Sequence, residues 1–386
     1  MNFDYTPEQQ QLRDAVAALG QRYGHEYFVR KAKSGGHTDE LWAEAAKLGY
    51  LGVSVPTEYG GGGGGITELA IVCEELAAAG CPLLLLVVSP AIAATVVAKH
   101  GTPTQRDRFL PGFADGTLKV CFAITEPDAG SNFHRLSTVA RRDGDDFLLT
   151  GRKVYISGVD ECSYALVVAR MADDRTGRLK PAIFLVPTDA AGLSRTRLDM
   201  EIVSPENQFL LFFDDVRVPA EALIGEDADA GLPALFSGLN PERITVAAMG
   251  AGTARYALAR ASSYAATRSV WGRPIGSHQG VAHPLAHAHI QVELARLMIA
   301  KAAALYDAGR DLEAGVAANL AKYASSEAAA LAVDTAIQAH GGNGMTTEYG
   351  VATLLGAVRA GRIAPVSREM ILNFVAQHAL GQEKSY

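Results

Sequence analysis

The sequence predicts an α+β fold in which a β domain lies between two helical domains. The first third of the chain and its last part show helical periodicity, whereas the middle consists of short β-branched and aromatic runs. A chain of 386 residues is long enough for three such units. The predicted boundaries are 1–117 for the N-terminal helical domain, 118–225 for the β domain and 226–386 for the C-terminal helical domain.

The N-terminal domain is predicted from helix-start and core patterns. The segment TPEQ at residues 6–9 has the form of a capping box with proline at the first helical position. Leu12, Val16 and Leu19 then recur on one helical face. Two prolines and a serine interrupt the apolar stretch 81–98, so this stretch predicts a buried helix rather than a membrane span.

Six consecutive glycines, Gly60 to Gly65, satisfy the pattern GxGxxG. A dinucleotide-binding loop of that pattern follows a strand, and no strand pattern precedes these glycines. The segment is therefore predicted to be a flexible loop.

The β domain is predicted from runs that Gly, Asp and Pro separate from one another. These runs predict antiparallel strands, and they read KVCFAIT, DDFLLTGRKVYIS, SYALVVARM, AIFLVPT and NQFLLFFDDVRVP. After Ile224 the pattern returns to long alanine-rich helices, the last of which is predicted to end at Gly341-Gly342.

Composition excludes several classes of function. The net charge of -7 disfavours a protein that binds nucleic acid or an anionic membrane, since either needs a basic face. The four cysteines form no CxxC pair, and the N-terminus has no signal-peptide pattern, so we expect reduced, buried thiols in a cytoplasmic protein. His283 and His287 are four residues apart without a third ligand nearby in sequence, so no metal site is predicted.

Three segments indicate ligand binding. The segment FAITEPDAGSN (122–132) ends a strand in a tight turn whose amides and hydroxyls suit a polar heterocycle, or it is a plain turn between strands. The segment RSVWGRPI (268–275) suits a phosphate and a stacked ring, or it is an exposed basic loop. The glycines of QAHGGNGMTTEYG (338–350) permit a ligand to approach the backbone closely.

Taken together, these segments resemble the acyl-CoA dehydrogenase family over essentially the whole chain. PTEYGGGG (56–63) is similar to the Pro-Glu-x-Tyr-Gly-Gly segment of the family, and RKVYISG (152–158) is similar to its second flavin strand. The resemblance implies a helical N-terminal domain, a middle antiparallel β domain and a C-terminal four-helix bundle. It also implies bound FAD, and a homotetramer or at least a dimer, because each FAD is shared between two chains.

The resemblance assigns residues to the two halves of FAD. The isoalloxazine and its substrate side would be lined by Phe122, Ile124, Thr125, Gly130, Ser131, Tyr155 and Ser157. Tyr155 and Ser157 stand where the family has Trp and Thr. The pyrophosphate and adenosine half would contact Arg268, Trp271, Gln279, Gln338, Gly341 and Gly342, the last four from an adjacent chain. Ser367 and Glu369 are also assigned to the cofactor site.

The position of the catalytic base departs from the common pattern. Many family members carry this glutamate in Glu-Gly-Thr-Ser-Glu, which corresponds here to PVSRE, so Pro365 replaces the base. A proline has neither a carboxylate nor the N–H that polarises the thioester carbonyl in the family, and loss of one such donor costs about 10²–10³ in rate when nothing compensates. A minority resembling isovaleryl- and long-chain acyl-CoA dehydrogenases has the base on a helix as Glu-Arg, which places it at Glu242, followed by Arg243.

The residues around Glu242 also have a purely structural interpretation. Asn240 and Pro241 have the pattern of a helix N-cap and first position, with Glu242 in the first turn. A helix N-terminus stabilises a carboxylate and makes it a weaker base, whereas desolvation by an acyl chain strengthens it. The small residues that follow predict close packing of this helix beside the flavin, namely Ala247, Ala248, Gly250 and Gly252.

The predicted function is α,β-dehydrogenation of an acyl thioester, either acyl-CoA or an acyl-carrier-protein thioester. Glu242 takes the α-proton, Arg243 orients or charges the site, and Ser131, Asn240 and Arg243 contact the substrate. The resemblance implies an electron-transfer flavoprotein as the oxidising partner. Two alternatives stay open: a flavin monooxygenase or nitroalkane-oxidase-like member of the same fold, and a non-catalytic subunit of a hetero-oligomer.

Overall fold

The computed structural model describes residues 4–173, 176–225 and 231–385. The predicted order of helical, β and helical regions is confirmed. The predicted boundary between 225 and 226 adjoins residues 226–230, which lie outside the described part of the chain, as do residues 1–3 and residue 386. Among the described residues, no helix combines the length and the apolar composition needed to cross a membrane.

Short and medium helices form the N-terminal region. They are α1 (Pro7–Ser34), α2 (Asp39–Lys47), α3 (Ile66–Ala78), α4 (Leu84–Leu86), α5 (Thr95–His100) and α6 (Pro103–Ala114). The predicted capping box is confirmed, since the Thr6 hydroxyl accepts from the Gln9 amide and the Gln9 side chain accepts from the Thr6 amide. A π-helical stretch, Val87–Ala94, joins α4 to α5 and is buried, as predicted for this apolar segment.

The middle region is one sheet of seven strands. They are β1 (Val120–Ala123), β2 (Val139–Asp143), β3 (Asp146–Ser157), β4 (Tyr164–Ala172), β5 (Leu179–Pro187), β6 (Leu193–Leu198) and β7 (Gln208–Pro219). The strand order is β1-β4-β2-β3-β7-β6, with β5 paired to β4.

The prediction that all these strands are antiparallel is wrong at two pairs. β4 runs parallel to both β1 and β2, while the remaining pairs are antiparallel. The chain leaves β1, forms the β2–β3 hairpin and returns as β4 in the direction of β1. Residue patterns within a strand report which face is buried, and they carry no information about the direction of its neighbour.

Three long helices dominate the C-terminal region. They are α7 (Gly231–Thr267), α8 (Gln279–Asp307) and α9 (Asp311–His340), and the shorter α10 (Leu355–Ala360) and α11 (Arg368–His378) follow. A small hairpin of β8 (Ser269–Val270) and β9 (Arg273–Pro274) joins α7 to α8. α9 ends at His340 with Gly341 next, as predicted.

A network of buried charges joins the two helical regions. On α3, Glu74 accepts from Arg255 of α7 and Arg296 of α8, at 2.7 Å each. The neighbouring Glu75 pairs with Arg255 at 2.8 Å and with Arg13 of α1 at 2.7 Å. Each buried carboxylate therefore has two cationic partners, which is the condition for burying charge without a large penalty.

The glycine loop is held in place, so the prediction that it is flexible is wrong. The amides of Gly62, Gly63 and Gly64 donate to the carbonyls of Gly52, Val55 and Val53, each at 2.9 Å. At the end of the loop the Asp307 carboxylate of α8 accepts from the amides of Ile66 and Thr67 at 2.7 and 3.0 Å. A carboxylate from the C-terminal region thus caps α3.

Gly65→Ala is expected to lower the free energy of unfolding by about 1 to 2 kcal/mol, the value of a lost helix cap. A Cβ at Gly65 would lie 2.4 Å from Cγ of Asp307, so the carboxylate must move away from the amides that it caps. Urea denaturation measures the change. Gly280→Ala is the control, since a Cβ there meets nothing within 4 Å; equal stability of both variants would contradict this account of the cap.

Candidate active site

Glu242 lies inside α7 and not at a helix start. The helix already runs from Gly231, so the prediction that Asn240 caps it is wrong. Local sequence favoured a start because Asn-Pro-Glu is a common N-terminal pattern. As Glu242 is more than two turns from the first described residue of the helix, the predicted weakening of the base by the helix N-terminus does not apply, because that effect is confined to the first turn.

The helix passes through Pro241 because other groups replace the missing backbone bond. A proline has no N–H for the carbonyl four residues earlier, which here belongs to Ser237. The hydroxyl of Tyr306 on α8 donates to that carbonyl at 3.2 Å. The Thr245 hydroxyl donates to the carbonyl of Pro241 itself at 2.8 Å. The turn that carries Glu242 is therefore hydrogen-bonded to α8 as well as to its own helix.

Small residues let α7 lie very close to its neighbouring helices. A Cβ at Gly252 would lie 2.2 Å from the carbonyl oxygen of Glu74 on α3, so α7 is in backbone contact with that helix. A Cβ at Gly250 would lie 2.8 Å from Oγ of Ser325, so here α7 packs against a side chain of α9. The predicted packing of α7 beside the flavin stays a prediction.

The Glu242 carboxyl is desolvated but has no partner. Burial raises its pKa to about 7, and the positive charges of Arg243 and Lys322 oppose that rise. Within the described part of the chain, no side chain donates a hydrogen bond to this carboxylate or forms an ion pair with it. The Glu242 residue as a whole is partly exposed.

Arg243 is directed away from Glu242. Its Nη1 donates to Oδ1 of Asn240 at 3.0 Å. Burial lowers the pKa of Arg243, and the neighbouring carboxylate counteracts this effect. The predicted substrate contacts Asn240 and Arg243 therefore lie together, beside Glu242. Gly315 of α9 faces them, since a Cβ there would lie 3.5 Å from the Asn240 amide nitrogen.

A buried ion pair holds the turn that follows β1. Lys153 of β3 is fully buried, and its Nζ donates to Oε1 of Glu126 and to the carbonyl of Ile124, at 2.9 Å each. Burial acts to raise the pKa of Glu126, but Lys153 and the donors of Ser137 and Thr138 outweigh it and lower the pKa to about 2. The pair fixes the turn from within.

The outer face of this turn is open. Thr125 is partly exposed, and Gly130 and Ser131 are exposed. The carbonyl of Thr125 accepts from the amide of Val154 at 2.9 Å, which joins the turn to β3. The next residue of β3 is Tyr155, a tyrosine with positive φ of 59° and an exposed fraction of 60%. The structure thus brings Thr125 and Tyr155, two predicted cofactor residues, onto neighbouring backbone segments.

Comparison with known proteins identifies the family of this chain. The acyl-CoA dehydrogenase N-terminal, middle and C-terminal domain models match residues 6–117, 121–216 and 229–380. The acyl-CoA dehydrogenase FadE12 of Mycobacterium tuberculosis is 59% identical over 100% of this chain and 99% of its own length. The chain belongs to the acyl-CoA dehydrogenase family.

Solved structures of this family are similar over the whole chain. A glutaryl-coenzyme A dehydrogenase in complex with glutaryl-CoA is 28% identical, with a TM-score of 0.93, covering 100% of this chain and 98% of that one. The butyryl-CoA dehydrogenase of Megasphaera elsdenii is also 28% identical, with a TM-score of 0.91, covering 99% and 100% of the two chains. As an acyl-CoA dehydrogenase family member, the protein is a flavin-dependent oxidoreductase.

The residues present fit a flavin. A flat conjugated ring system needs an apolar or aromatic surface and polar groups at its edge. Tyr155 presents an aromatic ring to solvent from a backbone conformation that tyrosine rarely adopts, and strain of this kind is typical of functional sites. The Ser157 hydroxyl lies on the same strand, where it is hydrogen-bonded to the Gln208 side chain. Phe122 and Ile124 are partly buried under the turn.

The remaining predicted cofactor residues are exposed, away from Glu242. Trp271 is 88% exposed, with a positive φ of 54°, at the tip of the β8–β9 hairpin. At the far end of α7, Tyr264 stacks on His340 and its hydroxyl accepts from Asn343, which joins this end to the end of α9. The exposed residues of this region include Arg268, Gln279, Gln338, Gly341 and Gly342.

Ser367 and Glu369 lie at the start of α11. The Ser367 hydroxyl accepts from the Met370 amide at 3.2 Å, so it caps this helix. Glu369 is exposed and pairs with Arg368. Pro365 precedes them in the connection between α10 and α11. Their predicted contact with the cofactor stays a prediction.

Sequence reasoning missed Lys153, Tyr306 and Lys322. Lys153 and Lys322 are fully buried lysines. Lysine is almost never fully buried, so residue type and local sequence do not predict the burial of these two side chains. The sequence around Tyr306 does not indicate that its hydroxyl replaces the hydrogen bond lost at Pro241, since 65 positions separate the two residues.

Tyr306→Phe is expected to lower the free energy of unfolding by about 0.5–1.5 kcal/mol, because the partly buried Ser237 carbonyl loses its donor. Activity is expected to fall as well, since Glu242 lies on the same helical turn. Urea denaturation and steady-state kinetics measure the two effects. Tyr323→Phe, at a partly exposed tyrosine of α9, is the control; if Tyr306→Phe behaves like this control, Tyr306 has no role at the proline.

Proposed function

We propose that this enzyme catalyses the α,β-dehydrogenation of an acyl-CoA, with Glu242 as the base that accepts the α-proton. The observation that carries this proposal is the state of the Glu242 carboxyl: desolvated, without a partner among the described residues, and partly exposed. A carboxyl with a pKa of about 7 is suited to accept a proton at neutral pH.

Three buried carboxylates of the described residues differ from Glu242 in having partners. Glu126 pairs with Lys153, and Glu74 with Arg255 and Arg296. Burial raises the pKa of Glu206, yet this carboxyl accepts from the Leu84 amide at 2.8 Å and the Ser204 hydroxyl at 2.5 Å. Those carboxylates have structural roles that their contacts explain. A desolvated carboxylate without a hydrogen-bond or ion-pair partner has no such structural role, which favours a catalytic role.

Arg243 and Asn240 support the substrate side of the proposal. The Asn240 side chain holds the Arg243 guanidinium, so the adjacent cation acts on Glu242 through space without a hydrogen bond. This arrangement leaves the carboxylate oxygens available for the α-proton. It also keeps positive charge near the thioester, where negative charge develops when the α-proton leaves.

We propose FAD as the flavin. Its isoalloxazine would lie on the open face formed by Thr125, Gly130, Ser131, Tyr155 and Ser157, and its adenosine half would bind the exposed residues around Trp271. When bound, FAD supplies the acceptor for the hydride that leaves the β-carbon. The chain itself orients the acyl group, holds Glu242 beside the α-carbon and receives the proton. We further propose an electron-transfer flavoprotein as the oxidant of the reduced enzyme.

The desolvated Glu242 favours this reaction over a non-catalytic subunit, and the reaction with oxygen separates it from the other alternative. A non-catalytic subunit gains nothing from an unpaired buried carboxylate, which lowers its stability. A flavin monooxygenase or nitroalkane-oxidase-like enzyme differs in the reaction of its reduced flavin with oxygen. Slow reoxidation by oxygen and rapid reoxidation by an electron-transfer flavoprotein would support the dehydrogenase.

The four buried thiols also support a reducing, cytoplasmic location.

We propose that the enzyme is a homo-oligomer, a tetramer by resemblance. Three apolar residues, Ile290, Leu294 and Leu297, share one face of α8 and are about half exposed. Apolar side chains at this helical spacing are normally covered by another surface. Trp271 is more exposed still and precedes Gln279, which the resemblance assigns to the FAD of an adjacent chain.

Leu294→Glu is expected to reduce the molecular mass in solution, because it places a charge on the proposed interface. Sedimentation velocity of wild type, Leu294→Glu and the control Leu312→Glu measures the change. Leu312 is exposed at the start of α9, away from the three apolar residues on the face of α8. A wild-type monomer, or an unchanged mass in Leu294→Glu, would contradict the proposal.

Glu242→Gln is expected to lower kcat/KM by about 10²–10⁴, the usual contribution of a general base. In the wild-type enzyme, kcat/KM is expected to fall about tenfold per pH unit below about pH 7, because the base must be ionised in the free enzyme. Anaerobic bleaching of the flavin by a panel of short, branched and long acyl-CoAs measures the reaction and identifies the acyl group.

Glu313→Gln is the matched control, at an exposed glutamate of α9. FAD content is measured in each variant, so that loss of the cofactor is not mistaken for loss of the base. Equal bleaching in wild type and Glu242→Gln would exclude Glu242 as the base. Absence of bleaching by every acyl-CoA in the wild type, with FAD bound, would exclude the dehydrogenase activity.

A further inference from the structure

A buried lysine of α9, Lys322, shares a helix face with Ser325, three residues further on. The Ser325 hydroxyl donates to the carbonyl of Ala247 on α7 at 2.6 Å, so this face of α9 packs on the α7 segment that carries Glu242. Lys322 is fully buried, and its Nζ donates to the carbonyl of Val366 at 2.6 Å. In the described part of the chain, no carboxylate lies within ion-pair distance of this ammonium. A buried cation bonded only to a neutral carbonyl is costly, so its retention calls for a reason beyond packing.

Val366 belongs to the connection between α10 and α11, residues 361–367, which also contains Pro365. Two other residues of α9 hold this connection. The Ser326 hydroxyl donates to the carbonyl of Gly361 at 2.8 Å, and Glu327 pairs with Arg362 at 2.8 Å. Lys322 is therefore one of several anchors of the 361–367 connection, and anchoring alone does not require a positive charge.

The charged groups around Lys322 distinguish it from the other anchors. From α7, it is influenced by Arg243 and Glu242; from α9 and α11, by Glu327 and Glu369. Burial and the charge of Arg243 lower the pKa of Lys322 to about 8, so its ammonium stays largely protonated at pH 7. Ser326 and Arg362, by contrast, are not among the groups that influence Glu242.

The effect on Glu242 has a definite sign. Desolvation raises the pKa of Glu242, and the two groups that oppose it are Arg243 and Lys322. Removing either positive charge disfavours the ionised carboxylate and raises this pKa further. Because Asn240 already holds Arg243, Lys322 is a second and independent source of positive charge.

We propose that Lys322 is a positioning residue of the candidate active site, which anchors the 361–367 connection to α9 and supplies the charge that keeps Glu242 ionised. The proposal rests on the role of Glu242 as base. The Lys322 side chain makes two contributions, a hydrogen bond to Val366 and a positive charge near Glu242. Substitutions that remove both contributions, or the charge alone, can therefore test the proposal.

The experiment compares Lys322→Met, Lys322→Gln and Ser326→Ala with wild type. Lys322→Met removes both the charge and the donor, whereas Lys322→Gln removes the charge and retains a donor. Ser326→Ala removes a different anchor of the connection and leaves the charge in place. Lys301→Met, at an exposed lysine of α8, controls for a general change in protein charge.

The pH dependence of kcat/KM is the first readout. In both Lys322 variants the acidic limb is expected to move to higher pH by at least about half a unit. Ser326→Ala and Lys301→Met are expected to keep the wild-type limb. An unchanged limb in the folded Lys322 variants overturns the proposal. If Lys322→Met does not fold, Lys322→Gln alone decides, since a shift of its limb supports the charge effect and no shift overturns it.

The second readout is the titration of the Glu242 carboxyl in the purified enzyme, followed by infrared difference spectroscopy and assigned with Glu242→Gln. Its midpoint is expected to rise in both Lys322 variants. This measurement needs no turnover, so it distinguishes the two proposals. If Glu242→Gln is fully active, Glu242 is not the base, but the effect of Lys322 on the titration of the Glu242 carboxyl can still be measured. If the midpoint does not move in the Lys322 variants, the role of Lys322 is excluded and the role of Glu242 as base is not affected.

Discussion

The close packing of α7 is the constraint on which the rest of the structure depends. At Gly252 the helix touches the backbone of α3, and at Gly250 it touches Ser325 of α9. Glycine inside a helix costs roughly 1 kcal/mol relative to alanine, and here the contact of helix backbones offsets it. The position of Glu242 is thus set by contacts between rigid helices, and rigid elements hold functional groups more accurately than loops do.

Pro241 shows how the helix accommodates its functional turn. A proline in a helix interior removes a backbone bond and is strongly unfavourable unless the freed carbonyl finds another donor. Tyr306 supplies that donor from α8, and the Thr245 hydroxyl adds a hydrogen bond to the carbonyl of Pro241 from within α7. The turn that carries Glu242 is consequently tied to a second helix, so the local break in α7 does not leave the carboxylate on a loose segment.

Much of the fold and of the candidate site could be predicted from the sequence, because the evidence for them is local. Periodicity predicted the three regions, and the small residues of α7 indicated close packing without identifying the helices that α7 contacts. The errors came from features that local sequence does not encode. Asn240 and Pro241 form a good helix start, and only the residues upstream and Tyr306 make them a helix interior. The direction of β4, the pairing of Lys153 with Glu126 and the position of Lys322 all depend on contacts between distant parts of the chain.

Contact with a cation distinguishes two desolvated carboxylates of this protein, Glu126 and Glu242. Lys153 contacts Glu126 at 2.9 Å, and with the donors of the same turn it holds the pKa of Glu126 at about 2, so this group stays ionised and structural. Glu242 is also desolvated, but Arg243 and Lys322 act on it without contact, and its pKa is about 7. A cation in contact would stabilise the carboxylate so strongly that it could not accept a proton, and no cation at all would leave it protonated at neutral pH. Two nearby cations, each bonded to another group, keep Glu242 between these limits.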